Sequence, residues 1–256
     1  MIRQLAAAIG FLTRVPMPSR MVFGAGDLGR SARWFPLIGL AIGGFFVGAL
    51  HLLTAVFPPL VTAFLIAAID ALLTGALHLD GLADTVDGFG GGRTREDVLR
   101  IMRDHVIGSY GAVALILVIA IKVAATASLI ERHRAATYLA LMPMLGRWSV
   151  VLLSATQPYA RRSGEEGAPP GGAISDFVGR VELIVASATV LPITFALAKW
   201  HGVASAVLVL ASSGLWGWYC RRRIGGITGD TLGASVEISE ALVLLFALIK
   251  PRMLEL

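Results

Sequence analysis

His78-Leu-Asp80-Gly-Leu-Ala-Asp84-Thr-Val-Asp87-Gly-Phe-Gly-Gly-Gly92 is the densest run of chemistry-bearing side chains in the sequence. Asp80, Asp84 and Asp87 are spaced i, i+4, i+7, which on a helix places them within about 60° of one another on one face. Three carboxylates this close do not all stay ionised without a cation, because like charges oppose one another's ionisation. Hard oxygen donors with few nitrogen or sulfur partners favour Mg²⁺ or Mn²⁺ over zinc. The row therefore predicts Mg²⁺ on Asp80, Asp84 and Asp87. A solvated acidic helix end is the plainer alternative, but Leu79, Leu82, Ala83 and Val86 flank the acids with apolar side chains. Gly88 and Gly90-Gly91-Gly92 are expected to stop the helix and let backbone N–H groups approach an anion. Arg93, Thr94 and Arg95 follow, types that suit phosphate oxygens; a flexible linker is the bland reading of the same glycines. Residues 95–104 mix Val98, Leu99, Ile101 and Met102 with charges and read as an amphipathic surface helix carrying Arg103 and Asp104.

A second cluster is Arg221-Arg-Arg-Ile-Gly-Gly-Ile-Thr228-Gly-Asp230. Three arginines at the end of an apolar segment read first as a topology anchor. The glycines with Thr228 and Asp230 form a second turn able to hold an anion or a metal. Five more charges, Asp70, Lys122, Arg147, Glu237 and Glu240, fall inside apolar segments, where each costs ~2.5–3.5 kcal/mol if unpaired at a bilayer centre. They must face the interior. Asp70 pairs with Lys122 or Arg147, or else serves function, and Arg147 is also an anion-binding candidate. Glu237 and Glu240, three residues apart, need a cation or an arginine beside them. The five histidines show no zinc spacing, and His78 is expected to orient or pack. No nucleophile triad and no P-loop is readable.

What must position these groups follows from composition. Of 256 residues, 56% are hydrophobic, 29 are glycine and only 15% are charged. Together the apolar residues and glycine reach about two thirds, against roughly 45–50% in soluble domains. Mean hydropathy is +0.75. A disordered chain, a disulfide scaffold built on the single Cys220, and a soluble globule are all excluded. The expectation is an all-α, polytopic transmembrane helix bundle, a single integral-membrane domain over residues 1–256. Seven spans are predicted, at residues 35–56, 60–77, 110–130, 135–156, 183–200, 203–219 and 232–249. Residues 4–13 read as a short N-terminal interfacial helix, without the cleavage site of a signal peptide. The acidic row is expected to continue the second span directly, and Pro143 and Pro192 to kink the fourth and fifth. Gly39, Gly43, Gly44 and Gly48 read as a helix-packing stripe. Fifteen of the 22 Lys and Arg residues fall on one side of this layout, which the positive-inside rule makes cytoplasmic. The basic balance thus points to anionic lipid rather than nucleic acid, whose interleaved aromatics are missing.

Taken together, the motifs resemble those of the adenosylcobinamide-GDP ribazoletransferases, also called cobalamin 5′-phosphate synthases. The resemblance runs almost end to end. It rests on Phe11-Leu-Thr-Arg-Val-Pro16, Phe35-Pro-Leu-Ile-Gly39, the block from His78 to Gly88, Arg100-Ile-Met-Arg-Asp104 with Gly108-Ser-Tyr-Gly111, and Gly225-Gly-Ile-Thr-Gly-Asp230. Arg103 stands where the family has Lys, and Asp70 has no counterpart in the pattern. The resemblance implies a Mg²⁺-dependent enzyme of the bacterial inner membrane, with its active face cytoplasmic. It would join α-ribazole or its 5′-phosphate to adenosylcobinamide-GDP with release of GMP; a homo-oligomer is compatible with the sequence. Under it, Asp80, Asp84 and Asp87 hold Mg²⁺. Arg93, Arg95, Arg103, Arg147, Thr228 and Asp230 bind substrate, and Asp84 or Asp104 accepts the ribazole hydroxyl proton. Two rivals are weaker. A CDP-alcohol phosphotransferase needs a D-x2-D-G spacing that Asp80 and Asp84 do not give. A transporter relaying through Asp70, Lys122, Arg147, Glu237 and Glu240 lacks the internal repeat common in that class.

Overall fold

The structure, a computed structural model, describes residues 2–18, 21–104, 106–161 and 174–249. Arg20, His105, Arg162, Lys250 and Arg252, which enter the sequence arguments, lie outside the described residues. The chain forms α1 (Ile2–Leu12), α2 (Ala25–Ser31), α3 (Phe35–Thr54), α4 (Pro59–Thr74), α5 (Leu77–Gly91), α6 (Arg95–Ile101), α7 (Ser109–Glu131), α8 (Ala135–Thr156), α9 (Arg180–Ile224) and α10 (Gly229–Leu248). Short 3-10 turns at Ala32–Trp34 and Ile174–Phe177 complete it. Among the described residues five helices are long and apolar enough to cross a membrane, or six if the bent pair α4–α5 is one span, against the seven expected.

Helix α8 is the buried centre, every residue from 141 to 154 being enclosed. It packs against α3, α9 and α10 and needs no polar face, as its all-round apolar sequence implies. It stays helical through Pro143. The α3–α8 contact is a backbone approach, since a methyl group at Gly39 would collide with the Pro143 carbonyl and one at Gly43 would stand 2.6 Å from the Ala140 oxygen. Gly44 and Gly48 have nothing within 4 Å, so only half of the glycine stripe serves packing. Gly43→Ala should therefore lower stability by about 1–3 kcal/mol, whereas Gly44→Ala, its neighbour, should leave thermal unfolding in detergent unchanged within about 0.5 kcal/mol.

Two expectations are corrected. The acidic row does not continue the second span, because α5 turns 90° from α4 at Gly75 and Ala76, both left-handed (φ +65° and +56°). Gly75 adopts that conformation without the Cβ penalty. Its missing Cβ also leaves room for the Arg14 side chain, while the Arg14 amide donates to the Leu73 carbonyl (2.7 Å). The glycine run ends the helix only at its far end: Gly88 and Gly90 are helical, and α5 stops at Gly91 with extended Gly92 as its cap. A Cβ at Gly88 would meet Met102 and one at Gly90 the Tyr110 ring, so these positions admit α6 and α7. In α9 the helical backbone fails at Ala198 and Lys199, six residues beyond Pro192. A methyl at Gly202 would strike the Thr194 carbonyl. Residues eight apart in a straight helix are separated by about 12 Å, so the chain doubles back here.

The cations divide between the ends of the bundle. Arg132 and Arg134 donate to the carbonyls of Leu248 and Ala247 at one end. At the other, Arg95 and Arg223 join α5 and α6 to the end of α9.

Candidate active site

At the arginine-rich end, α5 lies across the first turns of α7 and α10. Its crossing with α10 is close: a methyl at Gly81 would stand 2.8 Å from the Asp230 carbonyl oxygen, and one at Gly233 would stand 3.3 Å from the Cα atoms of Gly81 and His78. Thr228 caps α10, accepting from the Thr231 amide, and its hydroxyl reaches Asp230 (3.4 Å). Residues 158–160 pair with Ile227 through two backbone bonds, 2.8 and 2.9 Å, which sets Tyr159 beside this turn. These contacts enclose a cavity of about 510 Å³. Its polar lining is His78, Asp80, Tyr159, Ser175 and Asp230, and its apolar wall includes Phe11, Phe23, Leu28 and Phe35. Phe11 and Phe35 stack with centroids 5.8 Å apart. Burial pushes the Tyr159 phenol up, with Arg161 opposing, so Tyr159 is a neutral donor at physiological pH.

Asp80 and Asp230, drawn from separate sequence motifs, thus face one space. The rest of the acidic row diverges from it. Asp84 is half-buried and does not line the cavity. Asp87 is buried against α7, accepting from the amides of Gly108 (2.7 Å) and Gly111 (2.8 Å). A carboxylate there satisfies two orphan donors of a helix N-terminus and complements its dipole. Among the described residues no three His, Cys, Asp or Glu side chains gather as a metal group. Asp87→Ala should cost about 3 kcal/mol, because two buried amides lose a charged acceptor. The activity that survives should show an unchanged Mg²⁺ activation curve, whereas a true ligand would shift it.

None of Arg93, Arg95, Arg103 or Asp104 lines the cavity. Arg93 and Asp104 are exposed, Arg103 half-buried, and Asp104 accepts from the Val106 amide (3.2 Å). Arg95 donates to the carbonyls of Ile224 (3.1 Å) and Ala160 (2.5 Å). The predicted helix α6 is present, opened by a Thr94–Asp97 capping box. The Thr94 hydroxyl and amide hold the Asp97 carboxyl below its usual range. Arg223 donates to the carbonyls of Phe89 (2.7 Å) and Gly92 (3.1 Å), closing the C-terminus of α5. Sequence reasoning missed the aromatic wall and the role of Tyr159. Phe11 and Phe35 did lie in motifs that carried the resemblance.

Behind the cavity lies a buried ionic network. Lys122 of α7 reaches Asp70 of α4 (3.3 Å) and both Glu237 (2.9 Å) and Glu240 (2.5 Å) of α10. Arg147 of α8, fully buried, pairs with Glu240 and does not line the cavity. All five intramembrane charges predicted to face inward do so, and Asp70 pairs with Lys122.

Bundle and cavity together define a polytopic integral-membrane protein with a carboxylate-bearing cavity at its arginine-rich end. Over residues 4–248 the chain matches the profile of the cobalamin-5-phosphate synthase family, and it belongs to that family. Relatives named adenosylcobinamide-GDP ribazoletransferase are similar over nearly their whole length. The Chlorobaculum tepidum protein is 41% identical over 96% of this chain and 95% of its own. That of Syntrophobacter fumaroxidans is 39% identical over 93% and 94%, and that of Klebsiella pneumoniae 39% over 96% and 99%. No solved structure matches the chain. The protein is accordingly an enzyme, a transferase of cobalamin biosynthesis.

Proposed function

We propose that this enzyme joins α-ribazole, or its 5′-phosphate, to adenosylcobinamide-GDP and releases GMP. The carrying observation is the convergence of Asp80 and Asp230 on one half-apolar cavity. A ribazole hydroxyl oxygen forms the new bond to phosphorus, the diphosphate P–O bond breaks, and GMP leaves with the bonding electrons. At about 510 Å³ the cavity is in the range that encloses a drug-sized molecule. The ribazole nucleoside fits that range, and its flat base suits the wall of Phe11 and Phe35. The larger corrin ring stays outside.

The donor set fits Mg²⁺, which typically takes one or two carboxylates and completes its shell with phosphate and water. Asp80 and Asp230 would hold it, leaving Asp87 to anchor α7. Bound there, Mg²⁺ supplies neutralisation of the diphosphate and of the leaving GMP. Asp84, outside the cavity lining but one turn along α5 from Asp80 on the same helix face, is the carboxylate we assign to the hydroxyl proton. Asp104, bonded to a loop amide away from the cavity, is not. Arg93, exposed where α5 turns into α6, is the cation offered to donor phosphates. The arginine-rich end faces the cytoplasm by the positive-inside rule, in the inner membrane of a bacterial cell.

The test is purified protein in detergent or liposomes with adenosylcobinamide-GDP and α-ribazole. GMP should form only with both substrates and only with Mg²⁺. GMP release without ribazole, or undiminished turnover in excess EDTA, would contradict the proposal.

A further inference from the structure

We infer that His78 presents a fixed hydrogen-bond donor, Nε2–H, to an anionic oxygen in the cavity, and that buried Arg147 is the positioning residue that fixes it. The inference rests on the reading above and adds two residues to its machinery. Arg147 Nη2 lies 3.4 Å from His78 Nδ1. A guanidinium has only donors, so Nδ1 must accept. A neutral imidazole accepting at Nδ1 carries its hydrogen on Nε2. His78 lines the cavity between Leu77 and Asp80. Its Nε2 has no protein partner among the described residues and is not among the sealed, unpartnered polar atoms, so it opens to the cavity.

What holds the tautomer is remote from the chemistry. Arg147 Nη1 is paired to Glu240, Glu240 to Lys122, and Lys122 to Glu237 and Asp70. The guanidinium is therefore tied to side chains of α4, α7 and α10 before it meets the histidine of α5. Locking a histidine by a partner on its second nitrogen is the usual way to set which nitrogen faces the reaction. The neighbours of His78 in the cavity, Asp80 and Asp230, are acceptors suited to a cation. Nε2–H is the complementary element, aimed at a phosphate oxygen whose charge grows in the transition state.

Glutamine and asparagine separate the two ring nitrogens, since the Gln amide nitrogen reaches the Nε2 position and that of Asn only Nδ1. In GMP release, His78→Asn and His78→Ala should lower kcat by about 100-fold. His78→Gln should recover most of the loss, with KM for α-ribazole unchanged in all three. Arg147→Met should lower kcat similarly, read alongside its thermal unfolding. Equal kcat in folded His78→Gln and His78→Asn, or wild-type kcat in His78→Ala, would overturn the inference. A second measurement needs no folded variant: ¹⁵N-histidine NMR of the wild-type protein in detergent should show His78 protonated at Nε2 and bare at Nδ1. The opposite tautomer overturns the inference even if the variants do not fold. Absence of GMP release by the wild type would instead count against the transferase reading and leave the NMR test standing.

Discussion

Lys122→Met should destabilise this protein by about 3–5 kcal/mol. The ammonium is the shared partner of three buried carboxylates, at 3.3, 2.9 and 2.5 Å. Without it, Asp70, Glu237 and Glu240 face one another with Arg147 alone as cation. Among the described residues no other cation pairs with these carboxylates. A cost of that size corresponds to a fall of about 6–20 °C in Tm for a chain of this length. Removing a partner as well should return part of the loss, because the penalty is mostly the uncompensated charge rather than the absent bond. Lys122→Met combined with Asp70→Leu should unfold above Lys122→Met alone. The measurement is thermal unfolding in detergent. A shift below about 1 kcal/mol would mean that the network is not what ties α4, α7 and α10 together. Since α5 meets this network through Arg147 and His78, the same variant should also lose activity at temperatures where it remains folded.

That network was legible because the physics of placing it is severe. Five charges in apolar segments have few solutions, and mutual pairing facing inward is the one that avoids the desolvation cost. The helix lengths and the close approach at Gly39 and Gly43 were legible for a similar reason, as backbone hydrogen bonding and small residues leave little choice in a membrane. The 90° turn at Gly75-Ala76 was not. Leu-Leu-Thr-Gly-Ala-Leu reads as an unbroken apolar helix, and a left-handed Ala is not signalled by its type. What stabilises the turn is Arg14, sixty-one positions earlier, a tertiary contact that periodicity cannot show. Arg95 illustrates an ambiguity of chemistry rather than distance. Its forked donors suit phosphate oxygens and helix-end carbonyls equally, and only the approach of α9 decides for the carbonyls. Asp87 shares the helix face of Asp80 but not its surroundings, because α7 packs onto one end of that face and the cavity onto the other. The same holds for the cavity's apolar wall, which exists only once α1 and α2 fold over α5 and α10.

The second large expected effect is on turnover with stability preserved. Asp80→Asn and Asp230→Asn should each lower kcat/KM for GMP release by about 10³-fold, while thermal unfolding stays within about 0.5 kcal/mol of wild type. The separation follows from placement. Asp80 is exposed to the cavity, and Asp230, on the opposite wall, is held by the 3.4 Å contact with Thr228 and by the nearby charge of Arg161. Neither replaces a core contact when it becomes an amide. If both hold one Mg²⁺, the two changes act on a single unit, and the double variant should be little worse than either single variant rather than 10⁶-fold impaired. Each should also need more Mg²⁺ for half-activation, because an amide is a weaker ligand than a carboxylate. Asp84→Asn makes the contrast within α5. Assigned to the hydroxyl proton rather than to the metal, it should lose turnover without changing the Mg²⁺ requirement. If Asp84→Asn instead raised that requirement and Asp230→Asn did not, the metal would lie along the α5 face and not between α5 and α10. The glycine contacts that bring Asp80 and Asp230 together would then serve packing alone.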